Sequence, residues 1–382
     1  MVKLPQYDGL VAALGGGQTT RFIGGVVRDS MLGQPVCDID MATRLKPEEV
    51  IARLESAGIK AVPTGIAHGT VTAVTKSGPV EITTLRRDVS TDGRHATVAF
   101  TDDWQEDAAR RDFTINALSA NPETGEIFDY FGGRDDLTAG HIRFIGEPLQ
   151  RIAEDHLRIL RFFRFFAHFG KGDPDAAAYD ACAARANDLM ALSRERIASE
   201  VLKLLSYAAP VAAVRMMLAR DIMKPVLPEI FSADCLADLV SREGADRNAV
   251  RRLAALIGPN PIVAKEIAAR LKLSNAQSKR LVTACGWTEA FTTIESLAYR
   301  IGPESAHDRL LLGGRDATGL EGWQRPVFPI SGGSLIARGL QAGPAVAQTL
   351  RNIENAWIDA GFPKAAAFET IVAQQLRRST QP

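Results

Sequence analysis

Two aspartates two positions apart, in Cys37-Asp38-Ile39-Asp40, are the feature of this chain that points most directly to chemistry. In an extended strand, residues two apart share a face, so the carboxylates of Asp38 and Asp40 stand side by side. Like charges that close repel, and they are best tolerated when solvated or bridged by a divalent cation. Oxygen-only ligands suit magnesium, Mg2+, which in phosphoryl transfer activates an attacking hydroxyl and steadies a leaving pyrophosphate. A solvated strand end would carry the same two residues. The Gly-Gly turn of FIGGVVRD shortly upstream tips the reading toward chemistry. Gly24 and Gly25 let the backbone approach an anion, the following helix start offers free N–H groups, and Arg28 adds a cation one turn in. An ordinary strand-to-helix turn shares that spacing. Glu81, in PVEITTLRR, faces away from Val80 and Ile82 and is a candidate third metal ligand or simply an exposed strand residue.

Two further segments carry polar groups at working distances. In RRDFTINAL, Asp112 and Asn116 lie four apart, one turn of a helix, and suit ribose hydroxyls; Arg111 suits a phosphate, whereas Arg110 reads as a surface ion pair. In RIAEDHLRILRFFRFF, helical periodicity puts Ile152, Ile159, Leu160, Phe163 and Phe166 on an apolar stripe. Arg151, Glu154, Asp155, Arg158, Arg161 and Arg164 fall on the opposite arc. A packed helix with a polar face accounts for that much. Asp155 and Arg158, however, are three apart and able to act as one unit. A carboxylate accepts from an exocyclic amine while an arginine donates to the adjacent ring nitrogen. Cytosine and adenine present that polarity; uracil and guanine present the reverse. Such a pair selects C and A with no nucleic-acid template, and Arg161 and Arg164 extend the positive side toward a phosphate chain.

The elements that must position these groups differ between the two parts of the chain. Up to about residue 140, short β-branched runs alternate with helical stretches: TTRFIGG, VCDIDMAT and EIFDYFGG as strands, GTVTAVT and PVEITTL as a hairpin, VVRDSMLG, PEEVIARLESAG and AARRDFTINALSA as helices. RRDVSTDGRHATVAFTDDW is polar and reads as a long loop. From 141 onward the β signals fade into amphipathic stretches such as RERIASEVLKLLSYAA, NAVRRLAALIG, AQSKRLVTACGW and GPAVAQTLRNIENAWIDAGF. GPNP near 258–261 and RPVFPISGG near 325–333 are candidate breaks. The expected fold class is α+β: a small mixed sheet with helices, followed by an all-α remainder.

Composition narrows the partners. The 382 residues hold 45 Lys+Arg against 45 Asp+Glu, so any nucleic-acid affinity has to come from a local basic groove and not from the field of the whole chain. The four cysteines are far apart, with no CxxC, which argues against a zinc site or a disulfide framework and for a reducing compartment. No apolar run is long enough to cross a membrane. The beginning, MVKLPQYDGL, shows neither signal-peptide nor transit character, so a cytoplasmic location is expected.

Taken in order, GGVVRD, the DID carboxylates, RRDFTINA, EDHLR and RERI (Arg194–Ile197) resemble the class II tRNA nucleotidyltransferase and bacterial poly(A) polymerase family over about the first 200 residues. The resemblance implies a catalytic head over 1–140, a helical neck with base recognition over 141–205, and a helical, tRNA-binding body and tail over 206–382. It implies Asp38 and Asp40 as metal ligands, Asp155 with Arg158 as the base-selecting pair, and Arg111, Asp112 and Asn116 around the ribose and triphosphate. TDGRHATVAFTDDW, with Arg94 in it, resembles the flexible loop that helps CCA-adding enzymes accommodate ATP after two C additions. The implied activity is addition of CCA to the 3′ end of tRNA from CTP and ATP. The alternatives are a poly(A) polymerase, which would extend RNA with A alone, and a catalytically silent RNA-binding homologue. Some members of the family carry a C-terminal phosphohydrolase domain, and nothing in this chain matches it.

Overall fold

A computed structural model describes residues 2–36, 38–91 and 96–380. The chain divides into two units, Met1–Pro228 and Glu229–Pro382. The first contains the sheet. Its strands are β1 (Thr20–Ile23), β2 (Ile39–Thr43), β3 (Lys60–Gly65), β4 (Thr70–Thr75), β5 (Gly78–Thr84), β6 (Arg86–Thr91), β7 (Ala96–Phe100), β8 (Ser119–Ala120) and β9 (Ile127–Phe128). Seven of them form one mixed sheet in the order β3-β4-β5-β2-β1-β8-β9, and β6 and β7 form a separate antiparallel hairpin. Strand β2 runs antiparallel to β1 and parallel to β5. The outermost strand β3 contains Pro63 and loses register against β4 between Val62 and Gly65.

Alternation decides which face each strand residue takes. Ile39 and Met41 of β2, and Val80 and Ile82 of β5, are buried on one face, so Asp40 and Glu81 emerge together on the other. Because β2 and β5 are parallel, Asp40 and Glu81 are direct register partners. The 3.6-residue period likewise places Ile152, Ile159, Leu160, Phe163 and Phe166 in the core, as their spacing predicts.

Three local expectations are corrected. The segment read as a long loop is largely the β6–β7 hairpin: the β-branched runs DVST and ATVAF pair antiparallel. Residues 92–95, with Arg94, lie outside the described residues, as does Cys37. AARRDFTINALSA is not one helix. Helix Trp104–Ala109 stops, Phe113 is extended, and a 3-10 turn covers Thr114–Asn116. Phe113 adopts that conformation because its ring belongs to a buried aromatic cluster with Phe144 and Phe162, at centroid separations of 4.7 and 6.3 Å. Finally, RIAEDHLRILRFFRFF breaks into helix Pro148–Glu154 and helix Leu157–Phe169, with Asp155 in β conformation between them.

The second unit has helices and connecting segments and no strand among its described residues, with helices such as Ala249–Ile257, Asn275–Ala284 and Pro344–Asp359. The GPNP break is a helix boundary: Gly258 closes one helix, and Asn260 caps Pro261–Arg270 through the amides of Ile262 and Val263. Tyr299, Leu335, Ile353, Trp357, Phe368 and Val372 share one core cluster. Elsewhere in this unit Arg251 and Arg252 are fully buried, neutralised by Glu243 and Asp308. No helix among the described residues is long and apolar enough to cross a membrane.

Candidate active site

The strand-to-helix turn after β1 requires glycine. Gly24 has φ 65°, and a side chain there would approach the Arg111 guanidinium at 3.3 Å. Its N–H donates to Leu118 O at 3.0 Å, which ties the turn to the segment carrying Asn116. Arg28, one turn into the helix, is anchored. It donates to Asn116 Oδ1 at 2.6 Å and Asp29 Oδ1 at 2.8 Å, and lies over the Phe169 ring at 4.4 Å.

Asp40 is half-buried on β2, whereas Asp38 precedes the strand and is exposed. Burial raises the Asp40 pKa above the ordinary carboxylate range, and the neighbouring charges of Glu81 and Asp38 push the same way; Arg111 opposes them. Asp40 therefore lies within electrostatic reach of both Glu81 and Asp38. Among the described residues no group of three or more His, Cys, Asp or Glu is placed to hold a metal ion. Asp38, Asp40 and Glu81 offer oxygen donors only, the class that would suit a hard divalent cation.

Asp112 is buried and fully engaged. Arg161 reaches its Oδ2 at 2.5–2.6 Å, and Asn116 Nδ2 and the Phe113 N–H donate to Oδ1 at 3.0 and 2.9 Å. Burial alone would raise its pKa; the Arg161 charge and these hydrogen bonds outweigh it and hold the carboxyl below its usual range. Asp112 and Asn116 thus meet through the 3-10 turn, not on one helical face, and their polar atoms are spent largely on Arg161 and Arg28. Arg111 reaches Asp107 Oδ2 at 3.3 Å and Asn116 O at 3.4 Å.

The helix break exposes Asp155, but its partner differs from the one its spacing suggests. Arg196 donates to both Asp155 oxygens, at 3.1 and 3.3 Å. Arg158 is held instead by Glu154 Oε2 at 2.6 Å, Arg151 O at 2.8 Å and Arg110 O at 3.2 Å. Asp155 and Arg158 do line the same cavity, of about 410 Å³, with Gly24, Gly25, Arg28, Asp40, Arg111, Asp112, Asn116 and Arg161. Arg164 does not. It is buried against Glu200 at 3.1 Å and over the Phe165 ring at 4.4 Å. Asp38 and Glu81 also lie outside the lining. Arg110 and Arg196, given no site role by the sequence reading, are part of it. Arg196 lies in the RERI phrase, so a signal for it was present. The lining holds six arginines against three aspartates, and Asp29, Asp107 and Glu154 pair several of those arginines from outside it.

A family profile described as "Poly A polymerase head domain" matches residues 20–143, and one described as "Probable RNA and SrmB- binding site of polymerase A" matches residues 174–234. Over 364 residues the chain is 34% identical to the CCA tRNA nucleotidyltransferase 1, mitochondrial, of Homo sapiens, spanning 90% of this chain and 83% of that protein. It is 41% identical over 191 residues to a CCA-adding enzyme of Streptococcus pyogenes serotype M2, covering 50% of this chain and 46% of that one. Among solved structures, the Bacillus stearothermophilus CCA-adding enzyme in complex with CTP superposes with a TM-score of 0.79 at 25% identity, over 98% of this chain and 99% of that one.

Proposed function

The chain belongs to the CCA-adding enzyme and poly(A) polymerase family of nucleotidyltransferases, and on that premise we propose how its residues accomplish addition of CCA to the 3′ end of tRNA from CTP and ATP. The observation that carries the reading is the single cavity in which Asp40, the arginine cluster, Asp155 and Arg158 converge.

The family's chemistry depends on a divalent cation, which we take to be Mg2+. Asp38 and Asp40 would hold it, with Glu81 on the neighbouring strand as a further oxygen donor. When bound, the ion supplies charge neutralisation on the triphosphate and activation of the attacking hydroxyl. Arg111 and Arg161, with Arg28 behind them, surround the triphosphate with fixed positive charge, so little reorganisation is required as negative charge shifts toward pyrophosphate. Asp155 accepts from the exocyclic amine of cytosine or adenine, and Arg158 donates to the adjacent ring nitrogen. The tRNA 3′ oxygen attacks the α-phosphorus in line, a new P–O bond forms, and the bond to pyrophosphate breaks. No covalent enzyme intermediate is required; positioning and electrostatics carry the step. Arg94, in the segment TDGRHATVAFTDDW, favours the A addition. The free thiols Cys182, Cys235 and Cys285 accord with a reducing compartment, and we assign the chain to the cytoplasm.

The test supplies tRNA ending at the discriminator base with CTP, ATP, or both, and sequences the 3′ ends. CC with CTP alone and CCA with both is the expected result. Long runs of A would instead establish a poly(A) polymerase, and no extension would defeat the catalytic reading. In the same assay Asp40→Asn lowers turnover with both nucleotides by about 10²–10³-fold while tRNA affinity is kept.

A further inference from the structure

Asp107 lies outside the cavity lining and outside every role assigned above, yet it is one of the most fully engaged side chains near the site. It sits on helix Trp104–Ala109 and is only 4% exposed. Its Oδ1 accepts from Arg110, at 3.0 Å from Nε and 2.9 Å from Nη2, and from the backbone N–H of Arg86 at 3.2 Å. Its Oδ2 accepts from Arg111 Nη2 at 3.3 Å. Arg86 is the first residue of β6, so one buried carboxylate joins the base of the hairpin to two arginines that line the nucleotide cavity.

The same helix is tied to the hairpin a second time. Thr101, just past the end of β7, donates its hydroxyl to Glu106 Oε2 at 2.7 Å. Arg111 in turn abuts Gly24 and acts electrostatically on Asp40. A continuous set of contacts therefore runs from the hairpin base through Asp107 to the turn and carboxylates of the candidate active site. The carboxyl stays ionised in this setting: burial raises its pKa, but the charges of Arg111 and Arg110 and the Arg86 N–H outweigh that effect and leave it lowered. Removing a buried acceptor shared by three donors leaves those donors short of a partner, so one substitution here perturbs all three at once.

We propose that Asp107 is a positioning residue that couples the β6–β7 hairpin to the nucleotide cavity by holding Arg110 and Arg111 in register with the hairpin base. It touches no substrate; it acts through the two arginines. The inference rests on the functional reading above, because the cavity is taken as the nucleotide site.

The test uses the full chain with D107N, T101V and the double variant, and reads KM for CTP and ATP, KM for tRNA, kcat and melting temperature. D107N keeps an oxygen for the Arg86 N–H but drops the charge that orients both arginines. It is expected to raise KM for each nucleotide by about tenfold, with KM for tRNA and kcat far less changed. T101V loosens the hairpin from Glu106 and touches neither arginine, so an increase of about threefold in nucleotide KM is expected. In the D107N background T101V should add nothing, because the route it perturbs is already cut. Unchanged nucleotide KM in a folded D107N overturns the proposal, and so do D107N and T101V effects that simply multiply. Should D107N fail to fold, T101V alone decides, since an unaltered nucleotide KM contradicts coupling. Calorimetric CTP and ATP affinities are measured in parallel. If the wild-type chain does not extend tRNA, the functional reading fails, while the Asp107 comparison is still judged on those affinities.

Discussion

Asp155 owes its exposure to a helix that stops. Its backbone is extended, and the amide of Leu157 donates to Asp155 Oδ1 at 3.1 Å as the next helix begins. Had the helix continued, the side chain would have been one more member of a polar face. Replacing Asp155 with Ala removes the acceptor for the exocyclic amine and releases Arg196. Misincorporation of U and G relative to C and A should rise by about tenfold or more, read by single-nucleotide extension; unaltered selectivity would contradict the base-reading role. His168 makes a different prediction. Burial lowers its pKa, and the positive charges of Arg28 and Arg164 lower it further against Asp29; its ring stacks on Tyr207 at 4.0 Å. The unfolded chain therefore takes up the proton first. Stability is full above the unfolded value of 6.5 and declines as pH falls from there toward the lower folded value. Urea midpoints compared above and below that window should show the decline, and His168→Phe should reduce it. The pairing of acid and arginine around residue 155 was legible from spacing, but the actual partner was not, because Arg196 comes from a helix forty-one positions away and no local period encodes it.

At the scale of elements, helix Leu157–Phe169 is the piece whose burial holds the arginines in place. Its stripe was readable from the 3.6-residue period. The sequence did not show that Phe162 and Phe165 on its other side also pack, against Phe113 at 6.3 and 5.3 Å. A helix buried nearly all round turns its polar arc inward, which is why Arg164 pairs with Glu200 and does not reach toward a phosphate chain. Phe162→Ala should cost about 3–5 kcal/mol in chemical denaturation, since the ring is fully buried and its neighbours are rigid aromatics. The hairpin was misread for the opposite reason. Its polar, Gly-containing composition outweighed two short β-branched runs whose pairing partners are each other. The sheet itself was well marked, because alternation in β2 and β5 is strict enough to fix which carboxylates emerge together.

For the molecule as a whole, the even charge balance conceals strong local segregation. Positive charge collects in one cavity, and in Glu229–Pro382 a buried ionic cluster links Arg251, Glu243 and Asp308, with Arg280 also on Asp308 at 2.6 Å. Arg251→Met leaves both acids short of a partner, although Arg252 and Arg280 remain. A loss of about 3 kcal/mol in the stability of this unit is expected. Tryptophan fluorescence can follow it, because Trp287, Trp323 and Trp357 lie there and Trp104 alone lies in the first unit. The amphipathic pattern of the second half revealed helices but gave no hint of this cluster, since buried and surface arginines look alike in a sequence. The catalytic sheet has two raw margins. At one, the proline and the slipped register of β3 withhold regular donors and acceptors from a strand laid alongside; at the other, β9 is only two residues long. Neither margin templates strand addition, so crowded copies of this protein are kept from growing into one another edge to edge.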